Sequence, residues 1–418
     1  MRIQKSLVLG YIIGFTAFIA PVLGVVAPKG LAPLVICSSL LSFLILRVQN
    51  RPIVWVKGPI ILILASLCAW SLISFLWSLD SLSASSGTAK LAANLGFGGL
   101  LFTAIQSLKS DEKPIVLKWF LSGFILILVA LTLEIVLGGP LFVAWKKIKP
   151  GLSPGGMFWL NNIIVLLALF VWPLALALAK YKTEGAFHIR KEMAFFIFFG
   201  FSAVIILSYL IDFATGTLAL LCGLFSAGVV WLFGRRAAIT AAFILAIISL
   251  GLPFGFKLLE KPVSQISSIF SLPSSAGHRI AIWEFTARKI AEKPLAGWGM
   301  NASKIIPGGK TFVFSEAGEQ YGRALPLHPH NAILQFWLEL GLPGIILYLG
   351  LLIFIISTAI NRQRSKFESA MILGQFTTIF IISNLSFGIW QAWWIASLWL
   401  SASLMLLVTK IKKYPRDK

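Results

Sequence analysis

The chain has 418 residues, 58% of them apolar and 12% charged; soluble domains carry about 25% charged residues, so a water-soluble globular fold is excluded. A membrane span takes about 20 apolar residues, and this length accommodates a dozen spans and one sizeable loop. The net charge of +21 comes mostly from short connections between apolar runs, where the positive-inside rule and anionic headgroups account for it; it implies membrane lipids as partners and no nucleic acid.

Spans are predicted near 6–27, 31–47, 59–79, 88–108, 115–139, 158–180, 193–211, 213–233, 237–256, 331–359, 367–385 and 388–409. The expected fold is therefore an all-α polytopic membrane protein of about twelve transmembrane helices. Residues 6–27 follow Arg2 and Lys5 as a signal peptide would, but no small-residue cleavage site precedes Lys29, and they are read as the first span. Cys37, Cys68 and Cys222 fall in apolar runs and read as free thiols.

Basic residues alternate in a way that fixes sides. Arg47, Arg51 and Lys57; Lys109, Lys113 and Lys118; Lys180, Lys182, Arg190 and Lys191; Arg235 and Arg236; Arg362, Arg364 and Lys366; and the tail from Lys410 all fall in alternate connections. Both termini are thus expected in the cytoplasm and the loop at 257–330 outside. This divides the chain into residues 1–256 with spans one to nine, the outer loop 257–330 with short helices, and residues 331–418 with spans ten to twelve and a cytoplasmic tail. One outer connection breaks the rule by holding Lys146, Lys147 and Lys149. It reads either as a site for an anionic ligand such as a lipid pyrophosphate or as a single exception to a statistical bias.

Asp212, at the outer end of span seven, reads as a partner for an arginine or as a simple loop residue. Within the outer loop, Ser275 to Glu292 reads as an amphipathic helix, with Ile280, Trp283, Ala287 and Ile290 as its apolar stripe and Pro294 ending it. Arg279 lies one residue from that stripe, where it either reaches an anion beneath the loop or snorkels. Gly297-Trp298-Gly299 reads as a tight turn. Trp390, Trp393 and Trp394 read as an interfacial aromatic belt.

The longest polar segment runs back into lipid at His328-Pro329-His330-Asn331. Histidine titrates nearest to neutral pH, and the proline restricts His328 to extended or turn geometry. Asn331 is placed to cap a helix, and Gln335 and Glu339 follow it at intervals of four, on one face. An ionisable group in such a segment marks a functional site or a paired buried charge, and spacing leaves both readings open.

This segment, with its Leu334-Gln335-x-x-x-Glu339-Leu340-Gly341 continuation, resembles the O-antigen ligase and O-antigen polymerase superfamily of bacterial membrane glycosyltransferases. Upstream, Arg279-x-x-x-Trp283 and Pro294-Leu295-Ala296-Gly297-Trp298-Gly299 are similar to two further segments of that family. The resemblance implies transfer of a glycan from an undecaprenyl-pyrophosphate carrier to an acceptor hydroxyl at the periplasmic face of the inner membrane, without nucleotide, metal or other cofactor. It also implies His330 as general base, with His328 second. The acceptor is lipid A-core in a ligase and another carrier-linked glycan in a polymerase. An arginine common before the family's eighth span is missing here, where the chain reads Ala214-Thr215-Gly216-Thr217, and the sixth span starts with Asn161-Asn162. Lys146, Lys147 or Lys149 would have to stand in for the arginine. A transporter would instead carry interrupted helices repeated in two halves, and no such repeat is visible.

Overall fold

The computed structural model describes residues 7–137, 160–180, 188–258, 274–314, 318 and 320–410. The chain is an all-α polytopic membrane protein. Its helices are α1 (Val8–Val26), α2 (Leu31–Val48), α3 (Pro59–Ile73), α4 (Ser81–Gln106), α5 (Lys113–Val136), α6 (Asn161–Lys180), α7 (His188–Leu210), α8 (Ala214–Phe233), α9 (Arg235–Leu258), α10 (Ser274–Glu292), α11 (Ala332–Ala359), α12 (Lys366–Leu385) and α13 (Ala392–Thr409). All but α10 fall on the predicted spans, and α10 is the predicted loop helix. A two-stranded antiparallel hairpin, β1 (Phe312–Phe314) and β2 (Gln320–Arg323), follows α10.

Ten of these helices are long and apolar enough to cross a membrane by length and composition. α7 offers only the shorter apolar stretch Ala194–Leu210. α12 is diluted by Gln375, Thr378, Ser383 and Asn384, all buried. Polar side chains survive in a bundle when neighbouring helices supply partners. Gln375 donates to Leu169 O at 3.0 Å and to Ser401 Oγ at 2.6 Å, and the Trp172 indole donates to Thr378 Oγ1 at 3.1 Å. α12 is therefore an interior helix, packed on α6 and α8. α6 is more deeply set still, buried at every position from Ile163 to Leu176.

Two boundaries differ most from expectation. α4 begins at Ser81, seven residues before the predicted start, because Asp80 Oδ1 accepts from Ser83 N at 2.9 Å and caps it there. α3 stops at Ile73 and passes into a tighter turn at Ser74–Leu76. The aromatic belt is also corrected. Trp394 is wholly buried and Trp393 nearly so, while the Trp390 indole is spent on a buried carboxylate.

The connections predicted on alternate sides collect at two ends of the bundle. At one end, Arg51 pairs with Glu112 at 2.7 Å, Lys180 pairs with Glu368, and Lys113 Nζ donates to Lys410 O at 3.4 Å. At the other, Met300 N donates to Ser74 Oγ at 3.0 Å, Asn301 Nδ2 to Ser83 O at 3.0 Å, and His330 to Ser386 O at 2.6 Å. The first end is basic; the second holds the histidines.

Candidate active site

The site is built on a break in α11. Gly341 has φ 61 and ψ −156, a conformation that side chains with a Cβ rarely adopt. Pro343 follows and has no N–H to give. The helix ladder therefore loses its bonds to the carbonyls of Leu338, Glu339 and Leu340, and buried carbonyls must find other donors. They do: Trp298 N reaches Leu338 O at 2.8 Å, Gly299 N reaches Glu339 O at 2.8 Å, and the Trp70 indole reaches Leu340 O at 2.8 Å. In return, Leu342 N donates to Pro294 O at 3.0 Å. The Pro-Leu-x-Gly-x-Gly turn is thus docked, backbone to backbone, into the broken helix. Gly297 (φ 70) allows it, because a Cβ there would lie 2.6 Å from the Glu339 backbone.

The same turn closes over the Glu339 side chain, which is wholly buried. Its Oε2 accepts from Asn301 N at 2.6 Å and from the Trp390 indole at 2.8 Å. Its Oε1 accepts from Ser303 Oγ at 2.5 Å and Gln335 Nε2 at 3.1 Å. Four donors converge on one carboxylate and make it the joint between α11, the turn after α10, and the segment before α13. The sequence left open a functional site or a carboxylate paired with a buried cation; among the described residues the partners are hydrogen-bond donors and none is a cation.

About two turns above, Asn331 caps α11 as expected, its Oδ1 accepting from Leu334 N at 3.0 Å. Asn384 Oδ1 accepts from Ile333 N at 3.2 Å, and Gln335 Oε1 accepts from Ile389 N at 3.0 Å. The helix start is therefore clamped to the α12–α13 connection.

Both histidines sit on this clamp, their ring centroids 4.2 Å apart. The Ser386 carbonyl can only accept, so the 2.6 Å contact fixes the His330 proton on Nδ1 and leaves the Nε2 lone pair available. His328 takes the opposite tautomer, because its Nδ1 accepts from His330 N at 3.2 Å. His330 also holds a left-handed backbone, φ 53, a strain of about 1–2 kcal/mol that the surrounding bonds must offset. Burial lowers the proton affinity of both rings. His328 drops to about 3, with His330 and Lys304 adding to the effect. His330 is lowered by burial first, partly restored by the Ser386 bond, and lowered further by Arg279 and His278. Both rings are consequently neutral at physiological pH.

The Arg279 guanidinium lies near enough to His330 to oppose its protonation, and its own charge is disfavoured by burial. No hydrogen-bond or carboxylate partner meets it among the described residues. Trp283, one turn along α10, donates to Pro329 O at 2.9 Å and holds the peptide between the histidines. His278, one turn before Trp283 on the other flank, donates through Nε2 to Arg323 O at 2.9 Å and stacks on Tyr321, fastening the β1–β2 hairpin to α10.

His328, His330, Asn331, Gln335, Glu339, Trp283 and Arg279 are thus brought together. Asp212 is not. It is exposed in the α7–α8 turn with φ 59 and has no arginine partner among the described residues. Lys146, Lys147 and Lys149 lie outside the described residues. Sequence reasoning missed Asn301, Ser303, Asn384, Ser386 and Gly388, the last packed against the His328 ring. The run Ser383-Asn384-x-Ser386-x-Gly388 in an apolar context was the available signal for three of them.

A family model described as "O-Antigen ligase" matches residues 199–349. A protein of Rickettsia conorii named "Putative polysaccharide ligase" is 40% identical over 161 residues, 38% of this chain and 38% of its own. Proteins of the same description from Rickettsia typhi and Rickettsia prowazekii are 31% identical over 260 residues and 33% identical over 215 residues. These cover 60% and 50% of this chain, and 60% and 52% of the relatives. The chain therefore spans at most 60% of the length of these curated relatives. Through residues 199–349, a stretch that holds Arg279, both histidines and the broken helix behind them, the chain is similar to the O-antigen ligase family.

Proposed function

We propose that this protein is a glycan ligase that moves a saccharide from undecaprenyl pyrophosphate onto an acceptor hydroxyl, that of lipid A-core, at the periplasmic face of the bacterial inner membrane. The observation that carries the reading is the His330 ring: neutral, with Nδ1–H spent on Ser386 O and Nε2 open, beside an arginine that has no anionic partner among the described residues. The acceptor oxygen attacks the anomeric carbon, its proton passes to His330 Nε2, and the bond from that carbon to the pyrophosphate oxygen breaks with its electron pair leaving on the phosphate. Direct displacement of this kind inverts the anomeric centre. A positioned general base contributes typically 10²–10⁴-fold. Arg279 stabilises the charge that builds on the departing pyrophosphate, and Lys146, Lys147 and Lys149 are assigned to the same anion. Asn331, Gln335, Glu339 and Trp283 hold the base in place, while Asp212 has no role in the chemistry.

This reading puts residues 257–330 in the periplasm and both termini in the cytoplasm, in keeping with the basic character of the opposite end of the bundle. The test is transfer by the purified protein from a carrier-linked glycan to lipid A-core, in chelator and without nucleotide. Acceptor extension is the expected result. Elongation of a second carrier-linked glycan in place of lipid A-core would make the protein a polymerase, and no transfer to either acceptor would sink the proposal. In a deletion strain, loss of all long lipopolysaccharide chains with carrier-linked polymer accumulating marks a ligase, whereas core plus one repeat marks a polymerase.

A further inference from the structure

The basic end of the bundle carries a feature that glycan transfer does not use. α2 ends on Asn50 in a left-handed conformation, φ 49. Gln49 N reaches Ile45 O and Arg51 N reaches Leu46 O, each at 2.9 Å, the pattern that closes a helix and reverses the chain. The reversal sends Arg51 inward, where Nη1 and Nη2 donate to the two oxygens of Glu112 at 2.7 and 3.1 Å. Glu112 is wholly buried and also accepts from Lys109 N at 2.9 Å and Gly10 N at 3.3 Å. This two-pronged pair pins the turn to the starts of α1 and α5, so its shape is set before any ligand arrives.

Outside that pin, the turn borders an open cavity of about 390 Å³ lined by Leu46, Arg47, Asn50, Arg51, Ile53 and Trp55. Glu112 neutralises Arg51, but among the described residues no carboxylate pairs with Arg47, whose guanidinium lies over the Phe43 ring at 5.3 Å. Phe43 in turn contacts Trp55, centroids 6.1 Å apart. The cavity therefore presents one uncompensated positive charge framed by aromatic rings. Leading away from it along α2, Leu41, Leu44 and Val48 form an exposed apolar stripe, Val48 at 70% exposure. A free anion would use the cavity and leave the stripe idle. An amphiphile uses both, with its phosphate against Arg47 and Asn50 and its acyl chains along the stripe.

We propose that the α2–α3 turn is a binding site for an anionic phospholipid, recognised through its headgroup phosphate by Arg47. The site lies at the bundle end away from the histidines and does not depend on the glycan-transfer reading.

Native mass spectrometry of the full-length protein tests it, with phosphatidylglycerol and phosphatidylcholine of identical acyl chains offered separately, and glycerol phosphate as the soluble anion. The wild type is expected to retain phosphatidylglycerol preferentially, and Arg47→Gln to weaken that retention about tenfold, the equivalent of one charge-assisted phosphate contact. Arg362→Gln, an exposed cation at the same end, should leave it unchanged, and glycerol phosphate should not bind. Unaltered elution and thermal unfolding of Arg47→Gln in phosphatidylcholine shows that the variant is folded. Equal retention of the two lipids, an Arg47→Gln variant that keeps its preference, or an equal loss in Arg362→Gln would each overturn the proposal, the last by reducing it to a diffuse basic surface. Binding of glycerol phosphate as strong as that of the lipid would overturn the assignment to a phospholipid.

Discussion

The Trp283 indole donates to the Pro329 carbonyl at 2.9 Å, and this one bond ties the loop helix to the peptide between the two histidines. His330 keeps a left-handed backbone, so the segment relaxes unless several such bonds hold it. Trp283→Phe keeps a flat apolar ring, deletes the donor and trims the second ring of the indole. Thermal unfolding in detergent should show a loss of about 1 kcal/mol, while the transfer rate should fall roughly tenfold as the base leaves its reacting position. A Phe variant with the wild-type rate would show that the bond is structural only.

The acid limb of the pH–rate profile should lie below 6.5. A general base works in its neutral form, and burial lowers the His330 proton affinity, so activity is lost only as pH falls through that lowered value. The linkage has the same sign for stability: the unfolded chain binds protons on both histidines below 6.5 and the folded chain resists them, so stability falls as pH drops from 6.5 toward about 3, where His328 titrates. His330→Ala should abolish transfer while the protein still accumulates in the membrane. His328→Ala should leave a reduced, measurable rate, since its Nδ1 serves only the His330 backbone. Full activity in both variants removes the general-base assignment.

Glu339→Gln places an amide where the structure supplies only donors. Ser303 can turn its hydroxyl to accept, but Asn301 N, Gln335 Nε2 and the Trp390 indole cannot, because Gln335 Oε1 is already engaged with Ile389 N. At least one buried donor is left unmet, at a cost of about 1–3 kcal/mol. A lower unfolding temperature and a slower transfer rate with unchanged tautomer at His330 are expected, the latter read from the ring-nitrogen chemical shifts. An unfolding temperature equal to wild type would mean that the four-donor joint carries no stability.

The helical segments were legible in the sequence because span length and basic alternation are local signals. The loop helix was legible for the same reason, from the spacing of Ile280, Trp283, Ala287 and Ile290. The Asn331 cap and the Gly297-Trp298-Gly299 turn could be read from residue type. What these elements dock against could not. The turn's partner is the carbonyl row freed by Gly341, some forty residues on, and the His330 partner is a backbone oxygen at Ser386, which no side-chain pattern records. The three tryptophans near residue 390 were misassigned for a related reason: an indole at a span's end suits a lipid interface and a buried site equally well, and only the fold decides between them, through Glu339 for Trp390 and through burial for Trp393 and Trp394.

Arg279 separates a specific anion site from a general positive charge. It is half-buried on α10, one turn from Trp283, and among the described residues no carboxylate neutralises it. An arginine left in that state is costly, and the cost is recovered only when an anion arrives. Replacing it by lysine keeps the charge but loses the planar fork that meets two phosphate oxygens at once. Arg279→Lys should therefore insert and unfold like the wild type, bind acceptor with unchanged KM, and lose about tenfold or more in kcat with the pyrophosphate-linked donor. It should also leave the acid limb of the pH profile almost where it was, because the charge near His330 is retained. Arg279→Gln should move that limb upward, since the arginine charge that opposes His330 protonation is gone. If Arg279→Lys transfers glycan at the wild-type rate, the arginine serves only to reach the bilayer surface, and the donor phosphates must be held elsewhere.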